Sequence, residues 1–258
     1  MLQLLKRNIM KRFLSWKTMV LIIVGIGTMV TCYQHIPGRE GMQFAYLILE
    51  GPFAVFMQVV SSENSILIAS ILLAVMILSF VESPMINQDD RFYIMRTGKK
   101  KWVITEMIGI MCASAIWIII INLMGCVSSV NHMDWSDWSI YSNNMMCMLI
   151  YFLAYSCIGL FILLFHLLNV KALGTSIMIS LLLLEKFILD VLPNNIGVFS
   201  KSADTEKILS TIRKFMFMNR MENGYLWDTF FSSIIYFVTI MGILIALNIM
   251  YARKHEIG

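Results

Sequence analysis

Apolar residues in this chain gather into six long runs, at 18–36, 62–81, 102–124, 145–168, 172–192 and 229–251. Each holds roughly 19–24 residues, against the ~20 that a helix needs to cross a ~30 Å hydrocarbon core. Hydrophobic positions within the runs are contiguous instead of alternating, which suits helices and not the strands of a barrel. The pattern predicts six membrane-spanning helices. Ahead of them, within residues 1–17, Leu5, Ile9, Phe13 and Trp16 recur at helical spacing while Lys6, Arg7, Lys11 and Arg12 fall largely elsewhere. That segment is predicted to be an amphipathic elbow helix lying in the membrane interface.

The stretches between the runs differ in kind. Residues 43–60 are too apolar for a free loop, but Glu50, Gly51 and Pro52 interrupt them, so packing against the span ends is expected. Residues 125–144 read as a short polar connector whose Trp135 and Trp138 mark a headgroup belt. In residues 193–228, Pro193 ends the fifth run and Asp204 is placed to cap a helix running to about Asn219. Ile208, Ile212, Phe215 and Met216 would form its apolar stripe, and the helix would rest on the membrane surface or roof the outer end of a pathway. Neither a repeat nor a second domain shows, so residues 1–258 are read as one transmembrane domain.

Composition agrees with a bilayer as solvent. Of 258 residues, 59% are hydrophobic and 14% charged, against roughly 25% charged in soluble domains; the mean hydropathy is +0.76. Lys and Arg set the expected orientation. They cluster at the N-terminus, in the connector after the second run, at Lys171 and in the tail at Arg253 and Lys254. Both termini are therefore expected on the cytoplasmic side of a cell membrane. Residues 193–228 carry Lys201, Lys207, Arg213, Lys214 and Arg220 yet fall outside in this scheme, as longer connections do not follow the rule strictly. The first run is too long for a signal peptide and lacks an Ala-x-Ala-like end. A net charge of +4 placed near the inner leaflet gives no sign of nucleic-acid binding.

The candidate chemistry is sparse. The chain has no G-x-x-x-x-G-K-[ST], H-E-x-x-H or G-x-S-x-G pattern, so it offers neither a P-loop for ATP nor a recognisable hydrolytic centre. His166 and Asn169 form an H-x-x-N without the acidic partners a metal site needs. The five cysteines show no metal spacing and read as small apolar residues, with a Cys126–Cys147 bridge as the alternative. Charges inside spans are candidates for function. Glu106 lies one turn into the third run, within reach of the inner interface. Glu185, Lys186 and Asp190 lie in the fifth, where Lys186 and Asp190 are spaced to pair or to line a polar pathway. No run carries the acidic ladder of an ion relay. The 22 Met and 16 Phe residues fill gaps between helices or form an adaptable surface for apolar ligands.

The connector at 83–101 is the densest charge in the chain. It joins Asp89 and Asp90 to Arg91, Phe92, Tyr93, Arg96, Lys99, Lys100 and Lys101. Together with the elbow helix, six spans and a long last outer connection, it resembles the membrane subunit of type-2 ABC exporters, a bacterial family of permeases. The stretch 89–109, DDRFYIMRTGKKKWVITEMIG, is similar to that family's coupling segment. Glu106 departs from it, standing where many members carry a Lys.

The resemblance implies an all-α permease that is not itself an enzyme and works as a pair with an identical or sibling permease. Two separate ATP-binding subunits would carry ATP and Mg. Asp89–Tyr93 would enter a groove on that subunit, while Arg96 and Lys99–Lys101, with Glu106, would form a charge network at the inner surface. Few polar groups in the spans favour an amphipathic or apolar cargo, with a peptide preferred. Two other classes stay open: a membrane immunity or sensor protein that binds a peptide without pumping, and, with less support, an ion-coupled carrier.

Overall fold

The computed structural model describes residues 6, 23, 98–129, 136–168, 174, 176–185, 211–212, 214–223 and 226–254. All regular structure among them is helical. We number the helices α1 (Lys99–Ser129), α2 (Trp138–Leu167), α3 (Ser176–Glu185), α4 (Phe217–Asn223) and α5 (Trp227–Lys254). Three of them, α1, α2 and α5, hold apolar stretches of 25, 30 and 26 residues, long enough to cross a membrane. At 1.5 Å per residue the shortest measures about 37 Å, against the ~30 Å of a hydrocarbon core. The described part of the chain thus has the character of a multi-pass membrane protein.

These three helices fall on the runs predicted at 102–124, 145–168 and 229–251. Helix α3 occupies the middle of the run at 172–192. The runs at 18–36 and 62–81, the elbow at 1–17 and residues 43–60 lie outside the described residues, apart from Lys6 and Ile23.

The expected connector at 125–144 is shorter than the sequence reading made it. Helix α1 continues to Ser129, and α2 begins at Trp138. Asp137 caps α2, its carboxylate accepting from the Ser139 amide at 2.8 Å. Two turns later, Asn144 donates to the Oδ1 of Asn122 on α1 across 3.0 Å. A cap and a polar partner let the sequence Ser142-Asn143-Asn144 join the helix despite its polarity.

Helix α2 is the centre of the bundle. Of its most apolar window 67% is buried, against 56% in α1 and 22% in α5. It packs against both long neighbours, and α1 also meets α5. The α1–α2 pair is antiparallel: Asn122 meets Asn144 at one end, and the Trp102 and His166 rings approach to 6.3 Å at the other. Helix α5 runs in the direction of α2, with Phe237 beside Cys157 and Asn248 beside Leu160. The start of α1 and the ends of α2 and α5 therefore share one end of the bundle.

Gly174 sits where the chain returns after α2. A Cβ there would land on the Cβ and ring of Phe165, so only glycine allows the approach. Gly98 has a different constraint. Its φ of 82° is the left-handed backbone that glycine takes without strain, and its carbonyl accepts from the Trp102 amide at 3.3 Å. It turns the chain into α1.

Candidate functional site

The shared end of α1, α2 and α5 gathers most of the chemistry that the described residues hold. Lys99, Lys100 and Lys101 occupy the first turn of α1, which contains no acidic residue. A helix N-terminus carries a partial positive charge, so three cations there reinforce a potential that the helix alone already makes unfavourable for them. Anions from outside the helix would offset that potential. Lys101 is exposed and the other two half-buried.

Immediately after the lysines the helix turns dry. Trp102 is buried against α2, facing His166. Its indole Nε1 makes no hydrogen bond. Thr105 folds its hydroxyl back onto the Lys101 carbonyl at 2.9 Å. Glu106 is 1% exposed. The sequence reading placed it at the interface beside the lysines; the structure keeps it on the same helix but buries it. Seven residues beyond Lys99, it lies about 10 Å deeper along the axis.

Two other polar groups share that depth. Asn248 on α5 is fully buried, its Nδ2 donating to Leu160 O of α2 at 3.1 Å and to Leu244 O at 2.8 Å. Its Oδ1 has no partner. Ser156, one turn before Leu160, is equally buried with an unpartnered hydroxyl. The α1–α2 register sets Glu106 opposite the turn at Phe161 and Ile162, so Glu106, Ser156 and Asn248 lie within about a turn of one level. Sequence reading missed Asn248 and Ser156. Applying the rule for intramembrane charges to amides and hydroxyls as well is the signal that finds them.

The remaining predicted positions separate. Asp89, Asp90, Arg91, Phe92, Tyr93 and Arg96 lie outside the described residues, as do Lys186 and Asp190. Glu185 ends α3, half-buried and within electrostatic reach of Tyr236 on α5. Cys126 and Cys147 are free thiols, and burial pushes the Cys126 thiol up from its ordinary pKa. Among the described residues no three His, Cys, Asp or Glu side chains gather as a metal site.

At the opposite end, the predicted helix through Asn219 is broken. Met216 interrupts it, and α4 restarts at Phe217. The expected stripe divides: Met216 is buried, while Ile212 and Phe215 are exposed. Helix α4 packs against α2 and α5, and Ile208 lies outside the described residues. Comparison with protein-family models, with curated proteins and with solved structures finds no match for this chain.

Proposed function

We propose that this chain is the permease subunit of an ATP-driven exporter of the type-2 ABC class. In this reading six helices span the membrane and both termini are cytoplasmic. Two copies of a separate ATP-binding subunit supply ATP and Mg chemistry, and a second permease, identical or sibling, completes the path. The cargo is amphipathic or apolar, with a peptide preferred. The chain itself performs no catalysis.

The observation that carries the reading is the opening of α1. Gly98 turns the chain at the end of the charged connector, and three lysines follow on the positive end of a helix that has no acidic residue in its first turn. Such a surface suits an anionic neighbour, and an acidic groove on a docked ATPase is one that would also transmit movement. Directly behind it Trp102 packs on α2, so a push on the connector would be passed to the central helix.

Affinity purification of the full chain in mild detergent, with identification of the co-purifying chains and an ATPase assay, tests this. The expected result is an associated ATP-binding protein with measurable hydrolysis. Recovery of the chain alone, in good yield and without ATPase activity, would count against the exporter and favour a membrane protein that sequesters a peptide.

A further inference from the structure

Where α2 and α5 begin, the chain folds back around one cation. The Phe217 ring meets that of Phe237 edge-on at 5.1 Å, and the Tyr236 hydroxyl donates to the Phe215 carbonyl at 3.1 Å. Phe237 lies ten residues past Trp227, so the folded-back segment reaches about 15 Å along α5. It carries Arg220, half-buried. The Arg220 Nε donates to the Lys214 carbonyl at 2.6 Å. One terminal amino group donates to the hydroxyls of Ser232 and, at 3.3 Å, Ser233. The guanidinium carbon sits 5.7 Å from the centre of the Tyr236 ring.

Every one of these partners is neutral. Among the described residues no carboxylate pairs with the guanidinium, and its second terminal amino group donates to none of them. Glu185 shares the junction through its electrostatic reach to Tyr236. Among the described residues, the cation is thus held in place with one terminal amino group that none of them engages.

Its surroundings describe what would meet that group. Trp138 is 80% exposed and Trp227 64%, with Tyr141 also exposed at this end; aromatic side chains of this kind mark the headgroup layer. Ser232 and Ser233 lie five and six residues beyond Trp227, about 8 Å deeper, at the boundary between headgroups and acyl chains. From there Phe231, Ile235 and Val238 form an exposed apolar strip down one face of α5. A fixed planar fork of donors at the edge of an apolar strip matches a phosphate joined to a hydrocarbon tail.

We propose that this junction binds an anionic phospholipid, its phosphate on Arg220 and an acyl chain along Phe231, Ile235 and Val238. Arg220 then recognises the lipid as well as fastening α4 to α5. The proposal does not depend on the transport reading, since it requires only that the junction sits in a bilayer.

The test is lipid retention by the full-length chain, exchanged into mixed micelles with equal phosphatidylglycerol and phosphatidylcholine and analysed by native mass spectrometry. The wild type is expected to retain phosphatidylglycerol about fivefold over phosphatidylcholine, the discrimination one basic side chain gives at a membrane surface. Arg220→Gln should bring the ratio to about one, while Arg220→Lys retains part of the preference. Ile235→Ser alters an exposed side chain away from the guanidinium, so it tests the acyl path even if Arg220→Gln fails to elute as the wild type does. It is expected to lower retention of both lipids. Equal retention of the two lipids by the wild type, or unchanged retention in Ile235→Ser, would overturn the proposal. So would thermal stabilisation by glycerol phosphate equal to that by phosphatidylglycerol, which assigns the site to a soluble phosphate.

Discussion

The side-chain amide of Asn248 on α5 donates to the backbone carbonyl of Leu160 on α2 across 3.1 Å, joining residues 88 apart in sequence. Both lie in apolar helices, and Asn248 is fully buried. Hydrogen bonds of this kind between membrane helices contribute about 0.6 kcal/mol on average and up to about 1.7 kcal/mol. Asn248→Leu should lower unfolding stability in detergent by an amount in that range, read from the midpoint of a denaturant titration. Asn248→Asp puts a charge where the amide donors were and should cost more. Equal stability of all three proteins would show that the contact holds nothing.

The bond between Asn122 and Asn144 can be isolated more cleanly, because each amide has an identified partner. Asn122→Ala and Asn144→Ala should each destabilise, and together they should cost less than the sum. A coupling of about 0.6 kcal/mol is expected from a double-mutant cycle. Strict additivity would mean that the early start of α2 rests on the Asp137 cap alone.

These two pairs show what the sequence could and could not disclose. The three long helices were legible at 102–124, 145–168 and 229–251 because a helix exposed to lipid has to be apolar over its whole length, and that leaves an unbroken run. Polar contacts leave no such trace. Asn248 is a single amide within an apolar run, and its partner is a backbone carbonyl on another helix. Arg220 was visible as a charge that strained the orientation rule; its place over Tyr236 depends on α4 folding back along α5, which periodicity does not contain. Glu106 was found by its charge, but its burial follows from the packing of α1 on α2.

Two glycines give opposite expectations. An added Cβ at Gly174 meets the Cβ and ring of Phe165, whereas at Gly242 it meets nothing within 4 Å. Gly174→Ala should therefore destabilise the protein, since a Cβ cannot rotate away as a flexible side-chain tip can. Gly242→Ala should be neutral or stabilising by up to about 1 kcal/mol, the helix preference of alanine over glycine. Thermal unfolding of the two variants side by side checks the sign of each change. A marked loss on Gly242→Ala would show that this open face of α5 is covered in the working protein.

Cys126 near the end of α1 supplies a pH-dependent readout. Burial raises its thiol pKa, so at a given pH less of it is thiolate, the reactive form, than in a free cysteine at about 8.5. In a variant keeping Cys126 as the sole cysteine, alkylation by a charged maleimide should be slower than that of a free thiol at neutral pH. The rate should climb about tenfold per pH unit and continue to rise above pH 8.5. A plateau below that pH would contradict the burial. The charged reagent also reports, in intact cells, which side of the membrane this end of α1 faces.

The exporter reading makes its sharpest demand on Phe92 and Tyr93. If the connector inserts into an ATPase groove, its charges set register and its two aromatic rings supply the buried anchors, where most interface energy resides. Phe92→Ala combined with Tyr93→Ala should then weaken ATPase co-purification by tenfold or more, since about 2 kcal/mol or more is the usual loss for an anchoring side chain. Membrane insertion should be unaffected, because neither ring belongs to a spanning run. Lys99→Gln, Lys100→Gln and Lys101→Gln together should instead make association more sensitive to salt and slower, as expected for charges at the rim of an interface. If the paired aromatic substitutions left both co-purification and transport-coupled hydrolysis unchanged, the connector would be a topological loop. The three lysines at the start of α1 would then be explained by lipid headgroups alone.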